Sequence, residues 1–287
     1  MRVRIAAICV AVLTVVAGAL PAVAAPGQYQ APRKYYLALG DSLAYGYEQA
    51  KDTAGATQQT FNTGYVDDFA AGIHTLRPDV GVTNYGCPGE TTSSYLSGCA
   101  WHAVFGRPLH SDYSTSQEVA ALAFLHSHPG QVSPITIDLG ANDALGVVNA
   151  CRFDSACIAQ TFPGVLQTIG ANLSLTLAHL RAAAPRSEII VMLYYNPVYV
   201  VAPTTDLLLA QLNGVIASAA APYGVRLANA FAVINQNPTF PSEGAAVCAL
   251  TGMCSPPPGG DIHANDLGYA LIGTQFWAAS GYGQLDE

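Results

Sequence analysis

Short apolar runs alternate with helical patterns along most of this chain. Five near-continuous apolar runs indicate strands, at residues 35–39, 80–85, 134–139, 188–195 and 225–229. Helical patterns lie between and after them, at residues 65–76, 116–126, 160–184, 206–221 and 266–279. Uniformly apolar strands are typical of a parallel sheet that is covered on both faces. The alternation therefore predicts an α/β fold with an open, mostly parallel sheet and helices on both sides.

The first 24 residues have the pattern of a secretory signal peptide. Arg2 and Arg4 precede an apolar run at residues 5–20, and an A-x-A cleavage signal ends at Ala24. The apolar run is shorter than the ~20 residues that a membrane-spanning helix needs. We therefore predict a secreted protein that keeps no stable membrane anchor after cleavage, with residues 1–24 as the signal peptide and residues 25–287 as one domain.

The six cysteines that follow residue 24 fall into three close pairs. Six cysteines allow 15 connectivities, and pairing of nearest neighbours is the simplest of them. Zinc binding is the alternative, but the sequence has no C-x-x-C pair and an exported chain enters an oxidising compartment. We therefore predict no metal site and three disulfides, which join Cys87 to Cys99, Cys151 to Cys157, and Cys248 to Cys254.

Net charge limits the classes of partner, and length limits the number of domains. The formal net charge of −8 becomes −10 when Arg2 and Arg4 leave with the signal peptide. An acidic chain argues against nucleic acid or anionic lipid headgroups as electrostatic partners. A chain of 287 residues that is 51% hydrophobic can bury one large core, and no internal repeat or interdomain linker is visible. We expect a monomer without a cofactor.

Residues that can carry chemistry follow four of the predicted strands. Ser42 follows the first strand, Gly86 the second, Asn142 the third, and Asp261 and His263 the fifth. The carboxyl ends of parallel strands share one edge of the sheet, where open α/β folds keep their sites. A serine, a glycine backbone N–H, an asparagine amide and a histidine are the nucleophile, the oxyanion donors and the base that acyl transfer requires.

These segments resemble the sequence blocks of the GDSL esterases/lipases of the SGNH hydrolase family, in particular the secreted bacterial type. The blocks occur in the family's order, as Gly40-Asp41-Ser42-Leu43, Gly86, Gly140-Ala141-Asn142-Asp143 and His263. The resemblance spans nearly the whole chain after the signal peptide. It implies a three-layer α/β/α sandwich of the flavodoxin-like type around a five-stranded parallel sheet.

The resemblance also implies a role for each matched residue. Ser42 would be the nucleophile and His263 its general base. The oxyanion hole would consist of the Ser42 and Gly86 backbone N–H groups and the Asn142 side-chain amide. Loss of one such donor typically costs about 3–4 kcal/mol of barrier lowering.

The acid of the last block departs from the family's pattern. The family places an aspartate three residues before the histidine, where this chain has Gly260. Asp261, two residues before His263, is our choice for the third catalytic residue. A backbone carbonyl that orients the imidazole is the alternative, and Asp266 and Glu243 are poorer candidates.

We therefore expect a secreted serine esterase or lipase that cleaves carboxylic esters through an acyl-enzyme on Ser42. Removal of acetyl groups from a polysaccharide is the alternative activity. A catalytically inactive secreted binding protein on the same fold is a second alternative, because a fold alone does not prove activity. The aromatic segment at residues 95–105 could bind an acyl chain, stack on a sugar ring or only pack its loop onto the domain, through Tyr95, Leu96, Trp101 and Phe105.

Overall fold

The computed structural model describes residues 30–255 and 260–285, so the predicted signal peptide lies outside the described residues. Its strands form one parallel sheet in the order β2-β1-β3-β4-β5. This order is that of flavodoxin-like folds, and it confirms the predicted fold class. The strands are β1 (Tyr35–Gly40), β2 (Gly81–Asn84), β3 (Val132–Asp138), β4 (Ile189–Leu193) and β5 (Arg226–Asn229).

Helices connect the strands and also fill much of the long loops. In chain order they are α1 (Ser42–Tyr45), α2 (Tyr65–Leu76), α3 (Thr92–Ser97), α4 (Ala100–Ala103), α5 (Gln117–Ser127), α6 (Ala141–Ala150), α7 (Ser155–Ala183), α8 (Asp206–Ala220), α9 (Ala230–Ile234), α10 (Glu243–Leu250) and α11 (Asp266–Ser280).

Adjacent residues of β1 show how the two helical layers are placed. The Tyr36 ring contacts Phe69 of α2 at 5.4 Å between centroids, and the Tyr35 ring contacts Phe124 of α5 at 5.6 Å. Successive side chains of a strand point to opposite faces of the sheet, so α2 and α5 lie on opposite faces. Helix α11 packs against α2, and α7 packs against both α5 and α8. The result is the expected three layers around a core of buried strand residues.

Most predicted elements agree with the structure, with shifts at their ends. The predicted helix at residues 65–76 has the bounds of α2. Helix α7 begins at Ser155 rather than at residue 160, because the Asp154 side chain accepts a hydrogen bond from Cys157 N and caps the helix. Helices α3, α4 and α10 lie in stretches for which the sequence pattern predicts no strand or helix.

The structure pairs the six cysteines as the spacing predicts. Its disulfides are Cys87–Cys99, Cys151–Cys157 and Cys248–Cys254. Cys87–Cys99 spans α3, Cys151–Cys157 ties the end of α6 to the first turn of α7, and Cys248–Cys254 ties α10 to the residues that follow it. Within residues 30–255 and 260–285, no helix is long and apolar enough to cross a membrane.

Candidate active site

Ser42 stands at a sharp turn between β1 and α1. Gly40 ends the strand with a φ of +140°, which side chains other than glycine's rarely allow, and a Cβ there would overlap the Asp138 side chain. The Asp41 carboxylate then accepts a hydrogen bond from Leu43 N at 2.9 Å and caps α1. The small residues at the end of this apolar strand therefore serve to turn the chain and present Ser42 at the sheet edge.

The structure brings Ser42, His263 and Asp261 into one hydrogen-bonded line. His263 Nε2 lies 2.9 Å from Ser42 Oγ, and His263 Nδ1 lies 2.5 Å from Asp261 Oδ1. The His263 and Asp261 side chains are only 14% and 12% exposed. This arrangement gives the imidazole one nitrogen facing the hydroxyl and the other facing a carboxylate, as general-base activation of a serine requires.

The two-residue offset between Asp261 and His263 is bridged by a local turn. Asp261 Oδ1 also accepts the backbone N–H of His263 at 3.2 Å, which folds the carboxylate back toward the ring. The other oxygen, Oδ2, accepts the backbone N–H of Gln49 at 2.8 Å. Asp261 therefore reaches the imidazole from two residues before His263, whereas the family's aspartate lies three residues before the histidine. Asp266 instead pairs with Lys51, and Glu243 accepts from Asn235.

Neighbouring elements hold the loop that carries His263. The Tyr195 hydroxyl donates to the carbonyl oxygen of Ile262 at 2.8 Å, and Gly252 N donates to the carbonyl oxygen of His263 at 2.9 Å. The Tyr47 ring packs edge-on against the imidazole, with centroids 4.8 Å apart. Backbone and ring are both fixed, so the imidazole is held in place before a substrate arrives.

The electrostatics of Asp261 suit its position. Burial opposes ionisation of this carboxyl, but hydrogen bonds from His263 and the charge of its ring outweigh burial and lower the pKa of Asp261. Asp261 is therefore ionised at neutral pH. A carboxylate beside Nδ1 fixes the tautomer and stabilises the imidazolium that forms when the serine loses its proton.

Two buried carboxyls lie behind the nucleophile. Asp138 accepts a hydrogen bond from the Tyr65 hydroxyl at 2.8 Å and one from Ala44 N at 3.2 Å, and Asp41 accepts one from the Tyr194 hydroxyl at 2.9 Å. Burial and the neighbouring Asp41 charge raise the pKa of Asp138. These bonds anchor α1 to β3 and α2, and thereby fix Ser42.

Asn142 lies in the first turn of α6, beside Ser42. Its Nδ2 donates to the carbonyl oxygen of Glu90 at 2.9 Å and lies 3.4 Å from Asp41 Oδ2. One amide hydrogen is therefore well bonded, while the other makes only a long contact. That second hydrogen is the one left for a substrate oxygen.

Gly86 does not lie as its predicted role requires. It is buried, and its N–H donates to Asn84 Oδ1 at 2.8 Å. A Cβ at this position would stand 2.7 Å from Tyr45 N, so the glycine allows the loop to pack behind α1. With its N–H already used, Gly86 conflicts with the prediction that it contributes to the oxyanion hole.

Gly89 is the residue of this loop that the sequence reasoning missed. It is exposed, has a φ of +81°, and has open space where a Cβ would stand. Its neighbour Glu90 supplies the carbonyl that holds Asn142, so the Gly89 backbone lies beside the Asn142 amide. The available signal was the second glycine of NYGCPGETT, which can adopt a positive φ that other residues avoid.

A pocket opens directly on the catalytic line. Its empty volume, open mouth included, is about 720 Å³. Ser42, Asn142 and His263 are among the residues that line it, and apolar side chains of α6, α7 and α8 form much of the remaining lining. The aromatic segment takes another place: Tyr95 is in the core, Trp101 packs against Tyr47, and neither they nor Phe105 are among the described residues that line the pocket.

Comparison with known proteins gives a family and a fold. The family model described as the GDSL-like lipase/acylhydrolase family matches residues 38–271. No curated protein matches the chain significantly in sequence.

Several solved structures share the fold at low sequence identity. The lipase Lip_vut3 from goat rumen metagenome is 17% identical with a TM-score of 0.58, over 88% of this chain and 99% of that one. Phospholipase A1 from Streptomyces albidoflavus is 18% identical with a TM-score of 0.53, over 88% and 98%. The acetylxylan esterase Axe2 from Geobacillus stearothermophilus is 15% identical with a TM-score of 0.55, over 88% and 97%.

Proposed function

The chain belongs to the GDSL-like lipase/acylhydrolase family and is a carboxylic ester hydrolase, and on that premise we propose that it works through an acyl-enzyme on Ser42. The observation that carries the proposal is the continuous line from Asp261 Oδ1 through His263 to Ser42 Oγ, with separations of 2.5 and 2.9 Å. His263 takes the Ser42 proton as the oxygen attacks the ester carbonyl, and later returns it to the leaving alcohol.

The oxyanion of the tetrahedral intermediate forms beside three donors in this proposal. They are the backbone N–H of Ser42, the free amide hydrogen of Asn142 and the backbone N–H of Gly89, which replaces Gly86 in the original prediction. The bond from Asn142 to the Glu90 carbonyl supports this set, because it holds the amide and the Gly89–Glu90 backbone together. Donors that are fixed before the reaction stabilise the developing charge without reorganisation.

Replacement of the nucleophile tests the proposal. Ser42→Ala should abolish hydrolysis of p-nitrophenyl acetate and leave the melting temperature nearly unchanged. Ser218→Ala, on the exposed side of α8, is the matched control and should keep full activity. Activity of a folded Ser42→Ala variant within tenfold of wild type would overturn the assignment and favour the inactive binding protein or another nucleophile.

We also propose that the protein is secreted as a monomer of residues 25–287. The disulfides of the structure and the signal-like first 24 residues support export, because such bonds persist in oxidising compartments. Expression of the full chain in a secreting host should give protein in the medium whose first residue is near residue 25. An intact N terminus on cell-associated protein would contradict secretion, and a dimer in gel filtration would contradict the monomer.

The fold alone does not determine which ester is the substrate. Structures with this fold carry the names lipase, phospholipase A1 and acetylxylan esterase. A polysaccharide acetylesterase therefore stays as the second candidate function. The choice between the two depends on what the pocket beside Ser42 can hold.

A further inference from the structure

The shape of the pocket beside Ser42 is more specific than ester hydrolysis requires. Helix α6 contributes side chains at i, i+3, i+4 and i+7, and α8 contributes side chains at i, i+1 and i+4, in each case within one face of the helix. Helix α7 adds one aromatic ring. The larger apolar side chains from these helices are Leu145, Val148, Phe162, Leu208, Leu209 and Leu212.

Burial shows which part of the pocket is deep. Phe162 and Leu212 are each only 2% exposed, and Val148 is 6% exposed. Leu145 and Leu209 are half-buried and therefore lie nearer the mouth. Phe162, Leu212 and Val148 thus form the most buried part of an apolar lining that also includes Ser42.

Apart from Ser42, Asn142 and His263, the donor-bearing side chains that line the pocket donate their hydrogen bonds to other protein groups. The Asn196 amide donates to Thr205 Oγ1 and Asp206 Oδ1, and the Thr205 hydroxyl donates to the carbonyl oxygen of Ala202. The Tyr194 and Tyr195 hydroxyls are bonded to Asp41 and to the Ile262 carbonyl. Recognition of a polar ligand needs free donors and acceptors that converge on it. Because these donors are already used, the pocket lining argues against a polysaccharide as the group bound there.

The length of the α6 wall sets the size of the ligand. From Asn142 to Val148 the helix rises about 9 Å, at about 1.5 Å per residue. An extended carbon chain advances roughly 1.25 Å for each C–C bond of about 1.5 Å. About seven bonds therefore fit along the wall, whereas an acetyl group would leave most of it empty.

We propose that this pocket binds the acyl chain of the substrate and that the enzyme prefers medium-chain acyl esters, with about six to eight carbons in the acyl group. This inference rests on the proposed function, since it places the ester carbonyl on Ser42. Leu209 forms part of the wall along which the chain lies, and Phe162 closes the far end. A sugar or glycerol leaving group stays outside the pocket.

The test is a chain-length series of p-nitrophenyl esters with acetate, butyrate, octanoate and palmitate. Burial of each methylene strengthens binding by up to roughly a factor of four. We expect kcat/KM to rise at least tenfold from acetate to octanoate and to fall again for palmitate. A series that peaks at acetate, or faster release of acetate from acetylated xylan than of octanoate, would overturn the proposal.

A pair of variants locates the acyl chain. Leu209→Trp fills the wall and should lower the octanoate-to-acetate ratio of kcat/KM at least tenfold relative to wild type. Leu207→Trp, two positions earlier and 70% exposed, makes the same change outside the pocket and should leave both substrates unaffected. Equal effects of the two variants, or no effect of Leu209→Trp on the octanoate-to-acetate ratio, would overturn the proposal.

Widening the far end gives an independent readout that does not rely on a bulky insertion. Phe162→Leu should move the optimum toward longer chains, with a higher palmitate-to-octanoate ratio of kcat/KM than wild type, and an unchanged ratio would contradict the assigned end of the pocket.

Failure of the proposed function can be distinguished from failure of the acyl pocket. Absence of any Ser42-dependent hydrolysis refutes the proposed function, whereas Ser42-dependent hydrolysis without chain-length preference refutes only the acyl pocket.

Discussion

Asp261→Asn tests whether Asp261 is the catalytic acid despite its unusual spacing from His263. Asparagine keeps the size of the side chain but replaces one oxygen with an NH₂ group. If the oxygen stays on His263 Nδ1, the NH₂ faces the N–H of Gln49, which Asp261 Oδ2 now accepts at 2.8 Å. If the amide turns, the NH₂ faces Nδ1 and forces the proton onto Nε2, the atom that must accept the Ser42 proton.

The structure allows the size of the effect to be worked out. The bond between Asp261 and His263 is 2.5 Å long and mostly shielded from solvent. A hydrogen bond to a charged group contributes about 1.5–3 kcal/mol, and the wrong tautomer adds to its loss. We therefore expect kcat to fall by more than about a hundredfold, or about 2.7 kcal/mol, with KM little changed.

The assay is steady-state hydrolysis of p-nitrophenyl octanoate, with a melting curve to confirm folding. Asp266→Asn is the matched control, because Asp266 lies in the same segment with a side chain that is 65% exposed and pairs with Lys51. It should retain activity close to wild type. A loss smaller than about a hundredfold in folded Asp261→Asn would show a Ser42–His263 dyad whose imidazole is oriented by the backbone.

Two further predictions concern the loop beneath the oxyanion site. Burial, with a smaller contribution from the Asp41 charge, raises the pKa of Glu90 from an ordinary 4.5 to about 7. Because the folded protein holds this proton more tightly than the unfolded chain, the free energy of unfolding falls as the pH rises from 4.5 through 7. Relative to wild type, the free energy of unfolding of Glu90→Gln should therefore gain about 3 kcal/mol between pH 4.5 and pH 8 in urea titrations, and parallel curves would contradict this. Gly89→Ala should lower kcat at least tenfold, because alanine strains a backbone φ of +81°. Gly130→Ala, with a φ of +70° and equally open space at the Cβ position, is the control and should keep full activity. Equal activities of the two variants would refute the role of Gly89.

The sheet could be predicted from the sequence because its signal is local. Strands β1 and β4 are short apolar runs, β3 is buried throughout, and residues 65–76 show a helical pattern that the structure reproduces. The ends of the elements were less accessible, since they depend on caps such as Asp154, which the pattern of apolar residues does not reveal. Helix α6 was missed because its first turn looks like a polar loop that carries Asn142.

The grouping of Ser42, Asp261 and His263 could be predicted because these residues follow the first and fifth strands, whose carboxyl ends lie along one edge of the sheet. The offset of Asp261 could not be decided from the sequence, because it depends on a turn in which one carboxylate oxygen bonds both the backbone and the ring of His263. The assignment of an oxyanion donor to Gly86 failed for a similar reason. The Gly86 N–H donates to Asn84 Oδ1, two residues earlier, in a local turn that the glycine pattern alone does not reveal.

The acyl pocket was beyond sequence reasoning altogether. Its wall combines residues of α6, α7 and α8 that are distant along the chain. The aromatic residues that looked most suitable lie elsewhere: Tyr95 is fully buried in the core, and Phe105 is 68% exposed. Only the packing of the helices shows which apolar side chains face Ser42.

Covalent trapping of the nucleophile tests the central claim most directly. An alkyl fluorophosphonate should react with the folded wild-type protein, and peptide mapping by mass spectrometry should find a single adduct, on Ser42. The fall in ester hydrolysis should match the labelled fraction, and His263→Ala should react far more slowly, because its serine has no base at 2.9 Å. An adduct on another residue, or full hydrolysis by protein that is labelled at Ser42, would contradict the acyl-enzyme mechanism.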